Sequence, residues 1–181
     1  DLILSDYTGN FYILDYSELQ DTKKKLTPLK IDSNLKAEKI LDTFVYNDDL
    51  FVSFSNSNNK CYNWNISKAK INKKKLNFKK FYSSEECSIQ NYYQPHGGRI
   101  QQYKHNGVEG VLFTVGENGT SLQHKDSIIG KILFIPLDTS QILEFSKGHR
   151  NTQGLLVYNG SILSTEHGPR GNDEINKIEF Q

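Results

Sequence analysis

Four times along the chain a short run of β-branched, aromatic and leucine residues leads into a polar turn and then into a second such run. The pairs are Leu2-Ile3-Leu4-Ser5 with Phe11-Tyr12-Ile13-Leu14, residues 50–54 with 62–66, residues 111–115 with 130–135, and residues 161–165 with 174–178. Alternation with a period of two is the mark of strands, and polar turns between paired runs mark antiparallel neighbours. No long window carries a 3.6-residue apolar stripe apart from a faint one over 34–44, so the chain is expected to be all-β. The pairs start roughly 50 to 60 residues apart, the range of β-propeller blades with loop insertions, although a meander sandwich gives similar spacing. Residues 1–181 are therefore read as a single partial β-propeller domain of about four blades. If the parent circle has six, two blade edges are left open, and open edges invite aggregation.

The chain has 181 residues, 36% hydrophobic and 24% charged, with 22 Lys+Arg against 21 Asp+Glu. No apolar run approaches the roughly 20 residues of a membrane helix, which argues against a membrane span. Near-zero net charge argues against a nucleic-acid surface, because counterion release needs a clustered cationic excess. The sequence contains no Met and opens directly into a strand pattern, so it is expected to be processed or truncated.

Glycine and arginine are unevenly placed. Twelve of the 13 glycines lie at or after Gly97, and the three arginines, Arg99, Arg150 and Arg170, all sit in Gly-rich loops there. Lys supplies positive charge everywhere else, so Arg at these sites points to its planar fork, which binds carbonyl or carboxylate oxygens bidentately. The lysine runs 23–25 and 73–75, with Lys79 and Lys80, read as solvated turn and edge-strand charge. The two cysteines, Cys61 and Cys87, are too few for a metal cluster. Either they are free buried thiols, or they form one disulfide closing a loop of about 27 residues, worth roughly 3 to 4 kcal/mol. The disulfide is preferred because it would staple the turn-rich stretch 56–80, and it would imply an exported protein.

Three Gly-rich loops lie between strand patterns: QPHGGRI (94–100), GHRNTQGL (148–155) and EHGPRGNDEIN (166–176). Together with LFTVGENG and GKILFIPLD they resemble, over residues 94–180, the PQQ-dependent soluble sugar dehydrogenases, the glucose/sorbosone and aldose dehydrogenase family of six-bladed propellers. The resemblance implies oxidation of an aldose to its lactone, with PQQ and calcium as cofactors and an external electron acceptor as partner. It makes His96 the general base, suited by an imidazole pKa near working pH. Arg150 and Asn151 would contact the quinone carbonyls, with Gln153 in the same loop. The backbone carbonyls of Gly168 and Pro169 would hold calcium, a hard cation tolerant of irregular loop geometry. Asp173 and Glu174 are read as structural. Each assignment has a plainer alternative: a turn histidine for His96, and a blade-connecting turn with Arg150 ion-paired to a neighbouring carboxylate.

In the family, the residues that grip the PQQ carboxylates come from later blades, so the cofactor site is expected to be incomplete in this chain. The alternative function is a non-enzymatic propeller serving as an interaction module, since fold alone does not choose between the two. A periplasmic or secreted location is implied.

Overall fold

The computed structural model describes residues 1–19, 26–32, 35–58, 61–89, 97–117 and 125–180. Four sheets follow one another along the chain. The first contains β1 (Leu2–Ser5), β2 (Phe11–Leu14) and β3 (Thr27–Ile31). The second is built from β4 (Lys39–Tyr46), β5 (Asp49–Asn58), β6 (Cys61–Lys70) and β8 (Lys79–Ile89), with the two-residue β7 (Lys75–Leu76) in the β6–β8 connection. β9 (Gly97–His105), β10 (Val108–Val115), β11 (Lys131–Pro136) and β12 (Leu143–Lys147) make the third. β13 (Thr152–Tyr158), β14 (Ser161–Glu166) and β15 (Glu174–Ile178) make the fourth. All four strand pairs expected from the sequence form antiparallel ladders. Among the described residues no helix is long and apolar enough to cross a membrane.

The sheets pack face to face in sequence order, as blades do, and the alternation of side chains says why. On β10, Val111, Phe113 and Val115 join a core with Phe51, Trp64 and Ile66 of the second sheet. Leu112, one residue out of step, joins Ile132, Phe134, Ile162 and Ile178 in the core shared with the fourth. On β5, Phe51 faces the third sheet while Leu50 and Val52 meet Phe11 and Leu29 of the first. A strand with a continuous apolar run is thus covered on both faces. The first strands of the last three sheets are neighbours: β9 lies against β4 on one side and β13 on the other, so these strands line a common axis.

Three features differ from a set of uniform four-stranded antiparallel blades. The fourth sheet has three described strands. The first is completed by β7, which runs parallel to β3 with Lys30 opposite Lys75 and Ile31 opposite Leu76, anchored by Leu76 and Phe78 in the core between the two sheets. Residues 39–44 of the faint helical stripe lie in β4, where a bulge between Ile40 and Asp42 offsets the alternation; Asn34 lies outside the described residues. Leu41, Phe44 and Tyr46 then pack on one core while Ile40 packs on the other.

Cys61 and Cys87 are disulfide-bonded, with Cα atoms 5.5 Å apart, and tie β6 to the edge strand β8. This removes the free-thiol alternative. Lys73, Lys74, Lys75, Lys79 and Lys80 are exposed, as edge charges should be; Lys23 to Lys25 lie outside the described residues.

Candidate functional site

β9 and β13 start, and β10 and β14 end, at the same end of their sheets, because β9 pairs antiparallel with β10 and β13 with β14. Asn151 of the second loop bonds Gly97 at the end of the first, and Arg150 bonds His167 of the third, so the described parts of these loops meet there. His96 lies outside the described residues, but the next residue, Gly97, opens β9 and fixes where the HGGRI segment enters the sheet. Gly97 and Gly98 have φ of +78° and +92°, which few side-chain-bearing residues adopt. A Cβ on Gly98 would also stand 2.5 Å from the Leu41 side chain. The double glycine thus lets β9 pass close to β4, an approach sealed by the Ser53 hydroxyl donating to the Gly98 carbonyl.

Arg150 is the hub. Its backbone carbonyl accepts from Glu117 N at 2.7 Å, its Nε lies 3.0 Å from Glu117 Oε1, and its Nη1 donates to the carbonyls of His167 (2.8 Å) and Gly168 (3.2 Å). One side chain thus joins the end of β10 to the loop after β14. Asn151 makes the second junction: its Oδ1 accepts from Gly97 N at 3.2 Å and from Gln153 Nε2 at 2.6 Å, and its carbonyl accepts from His167 N at 3.1 Å. Gln153 Oε1 is 3.5 Å from Arg99 Nη2, and Arg99 Nη1 is 3.5 Å from Asp42 Oδ1 on β4. A polar chain therefore crosses three sheets at one end, from Asp42 through Arg99, Gln153 and Asn151 to Gly97.

The third loop is shaped by its own residues. Asp173 Oδ1 accepts from Gly168 N at 3.1 Å, and Asp173 Oδ2 lies 3.4 Å from His167 Nδ1. Glu174 accepts from Asn176 at 3.2 Å. A Cβ on Gly168 would run into the Asn172 carbonyl, so this position takes glycine for want of space. Pro169 starts the short 3₁₀ turn that follows, and Arg170 within it is exposed at φ 54°. Among the described residues no group of three or more His, Cys, Asp or Glu side chains is placed to hold a metal ion; the carbonyls of His167 and Gly168 meet the Arg150 guanidinium, as does the Glu117 carboxylate.

The electrostatics follow from burial. Desolvation pushes the Asp42 carboxyl up, against the N–H of Ile100 (2.9 Å) and the charge of Arg99, which pull it down. Burial also acts to raise Glu166, but hydrogen bonding and charge from His149, the Arg150 N–H and the Ser164 hydroxyl together hold it below the usual range.

The structure brings Arg150, Asn151, Gln153 and Gly168 together at the start of β9 and leaves Arg170 outside. Glu117, Glu166 and Asp42 were not assigned from sequence. Glu117 carried a faint signal, being the first charged residue after the apolar run 111–115 within LFTVGENG. Asp42 carried none, for its link to Arg99 joins two sheets.

Residues 34–180 match the family model described as Glucose / Sorbosone dehydrogenase. No curated protein sequence matches the chain. Among solved structures the chain is similar to the apo-form crystal structure of the soluble aldose sugar dehydrogenase from Escherichia coli, with 20% identity and a TM-score of 0.76 over 98% of this chain and 57% of that one. At that identity the likeness is one of fold, that of a partial β-propeller, and this chain spans 57% of the other's length.

Proposed function

The chain belongs to the glucose/sorbosone dehydrogenase family, and from that premise we propose that residues 1–181 are part of a propeller domain that oxidises an aldose to its lactone with PQQ and calcium. The observation that carries the reading is the convergence of Arg150, Asn151, Gln153 and Gly168 at the start of β9, one residue after His96. In this reading PQQ, when bound, supplies the hydride acceptor and calcium holds and polarises it. His96 takes the proton of the sugar hydroxyl. Arg150 and Asn151 direct N–H donors at the cofactor, where negative charge builds up during the reaction, and Gln153 keeps Asn151 oriented through its 2.6 Å hydrogen bond. The carbonyls of Gly168 and Pro169 would hold calcium. The donor chemistry fits: carbonyl oxygens suit a hard cation, and the Gly168 carbonyl already turns toward a positive charge. An external acceptor removes the electrons, and the disulfide supports an exported location.

A second reading, a non-enzymatic interaction module, is favoured by one observation. The Arg150 guanidinium is engaged by Glu117 and by two carbonyls, as a purely structural arginine would be.

The test uses the whole protein that carries this chain, with PQQ, calcium, an aldose and an artificial electron acceptor. His96→Gln should lower kcat by a factor on the order of 10² to 10⁴ with cofactor binding nearly intact. Arg150→Ala should damage both. A wild-type protein that binds no PQQ would defeat the enzymatic reading in favour of the module, and an active protein indifferent to His96→Gln would defeat the base assignment. The isolated 181-residue chain should turn over little or not at all, and full activity would remove the expectation that further blades complete the site.

A further inference from the structure

Glu166 ends β14, and its carboxylate is almost entirely buried, at 7% exposure for the residue. Oε1 accepts from His149 Nδ1 at 2.6 Å and from the Ser164 hydroxyl at 3.1 Å, with Asn176 Nδ2 at 3.5 Å. Oε2 accepts from the backbone N–H of Arg150 at 3.0 Å. His149, 5% exposed, meets Ser146 Oγ through its other ring nitrogen at 3.0 Å. Two consecutive residues of the GHRN loop therefore hang from one carboxylate, two positions before Gly168. Arg150 is held at both ends by the same short segment: its N–H by Glu166, its Nη1 by the carbonyls of His167 and Gly168.

The Ser146, His149 and Glu166 side chains are linked in the order of an acyl-transfer relay. Ser146 is 3% exposed, so no ester can reach its oxygen, and that activity is set aside. What remains is a buried carboxylate, which costs several kcal/mol to desolvate unless it is fully hydrogen-bonded. An apolar residue would seal this sheet end at lower cost. A carboxylate does what an apolar side chain cannot: it accepts the Arg150 N–H and the His149 ring N–H at once and so fixes the loop that carries the guanidinium.

We propose that Glu166, with His149, is a positioning pair that holds the Arg150 guanidinium at the Gly168 carbonyl, acting on the ligand only through Arg150. This rests on the reading of Arg150 as a cofactor-contacting residue. Glu166→Gln leaves one oxygen where the carboxylate has two, so the His149 ring and the Arg150 N–H compete for it and the loop loosens.

The test is a double-mutant cycle in the whole protein with Glu166→Gln, Arg150→Ala and the pair, reading PQQ affinity in calcium buffer by fluorescence titration, with circular dichroism confirming the fold of each. Glu166→Gln should weaken PQQ binding about tenfold in the native background and less than twofold beside Arg150→Ala. Equal losses in both backgrounds, or a loss of melting temperature alone, would overturn the proposal. A second readout needs no ligand: Glu166→Gln should speed hydrogen exchange at Arg150 Nε–H, which faces Glu117, by about tenfold, the effect of losing one hydrogen bond's worth of order. Unchanged exchange overturns the positioning role even in a protein that binds PQQ. Faster exchange in a protein that binds no PQQ supports the positioning while sinking the functional reading, so the two failures separate. Should Glu166→Gln not fold, Glu166→Asp keeps the charge but withdraws the carboxylate by about one C–C bond, ~1.5 Å, and the same cycle and exchange measurement are read from it.

Discussion

In the second sheet both faces of β5 and β6 are covered. Phe51, Trp64 and Ile66 face one neighbouring sheet, and Leu50, Val52 and Ala69 face the other. One face of the fourth sheet packs Leu155, Val157, Ile162 and Ile178 against Leu112, Ile132, Phe134 and Phe145 of the third. Its other face leaves Leu156, Tyr158, Leu163 and Ile175 exposed, the last at 78%. The polar groups they bury differ as well. The interior of the second sheet buries neutral hydroxyls and amides, as where Asn65 bonds Asn56 and Ser83 at 2.8 Å each, while its half-buried Asp42 sits at the end that meets Arg99. The fourth buries an ionisable pair, His149 with Glu166. One sheet is held by apolar packing through its middle, and the other carries a buried ionisable pair at its end. The loops that converge on Arg150 belong to the second kind, and the interior that keeps them in register belongs to the first.

That contrast can be broken most forcefully at Trp64, which has 0% exposure. Trp64→Ala should cost about 3 to 5 kcal/mol in denaturant unfolding, whereas Leu163→Ala on the open face should change stability by less than about 0.5 kcal/mol. Comparable losses would mean that the fourth sheet's outer face is covered in solution. The next effect down is the disulfide. Replacing Cys61 and Cys87 together by Ser should cost about 2 to 4 kcal/mol, felt first as faster exchange along β6 and β8 while the β13–β14 amides keep their protection. Equal loosening in both sheets would show that they unfold as one unit.

Much of this was legible in the sequence because strands apolar at nearly every position, such as 111–115, have only one environment that suits them. The double glycine of HGGRI was legible as a special backbone position, but its use against the Leu41 side chain of β4 was not. What stayed hidden was what long-range contact decides. The bulge at Ile40 made β4 imitate a helical stripe. β7 is two residues long and has no period to read. Glu166 stood inside a motif already quoted, but its role depends on His149, which reaches it across the β13–β14 hairpin.

The smallest expected effect sharpens the boundary between the two regions, where Asp42 of the second sheet meets the Arg99 chain. Burial raises its carboxyl pKa, so the folded chain keeps a proton that the unfolded chain releases near pH 4. Stability from this group is fully present below about pH 4 and declines as pH rises through the raised folded value. Unfolding midpoints of wild type relative to Asp42→Asn should therefore fall with rising pH above about 4. Parallel curves would mean that Asp42 is as well solvated as a surface carboxylate.

The parallel strand β7 sets an order of assembly. Its residues lie in the connection after β6 yet complete the edge of the first sheet beside β3. During synthesis from the N-terminus, Lys30 and Ile31 leave the ribosome about 45 residues before their partners Lys75 and Leu76, at the usual pace of about 5–20 residues per second a wait of some seconds. Until then β3 presents an unpaired edge and must wait for the second sheet before it is safe from other chains.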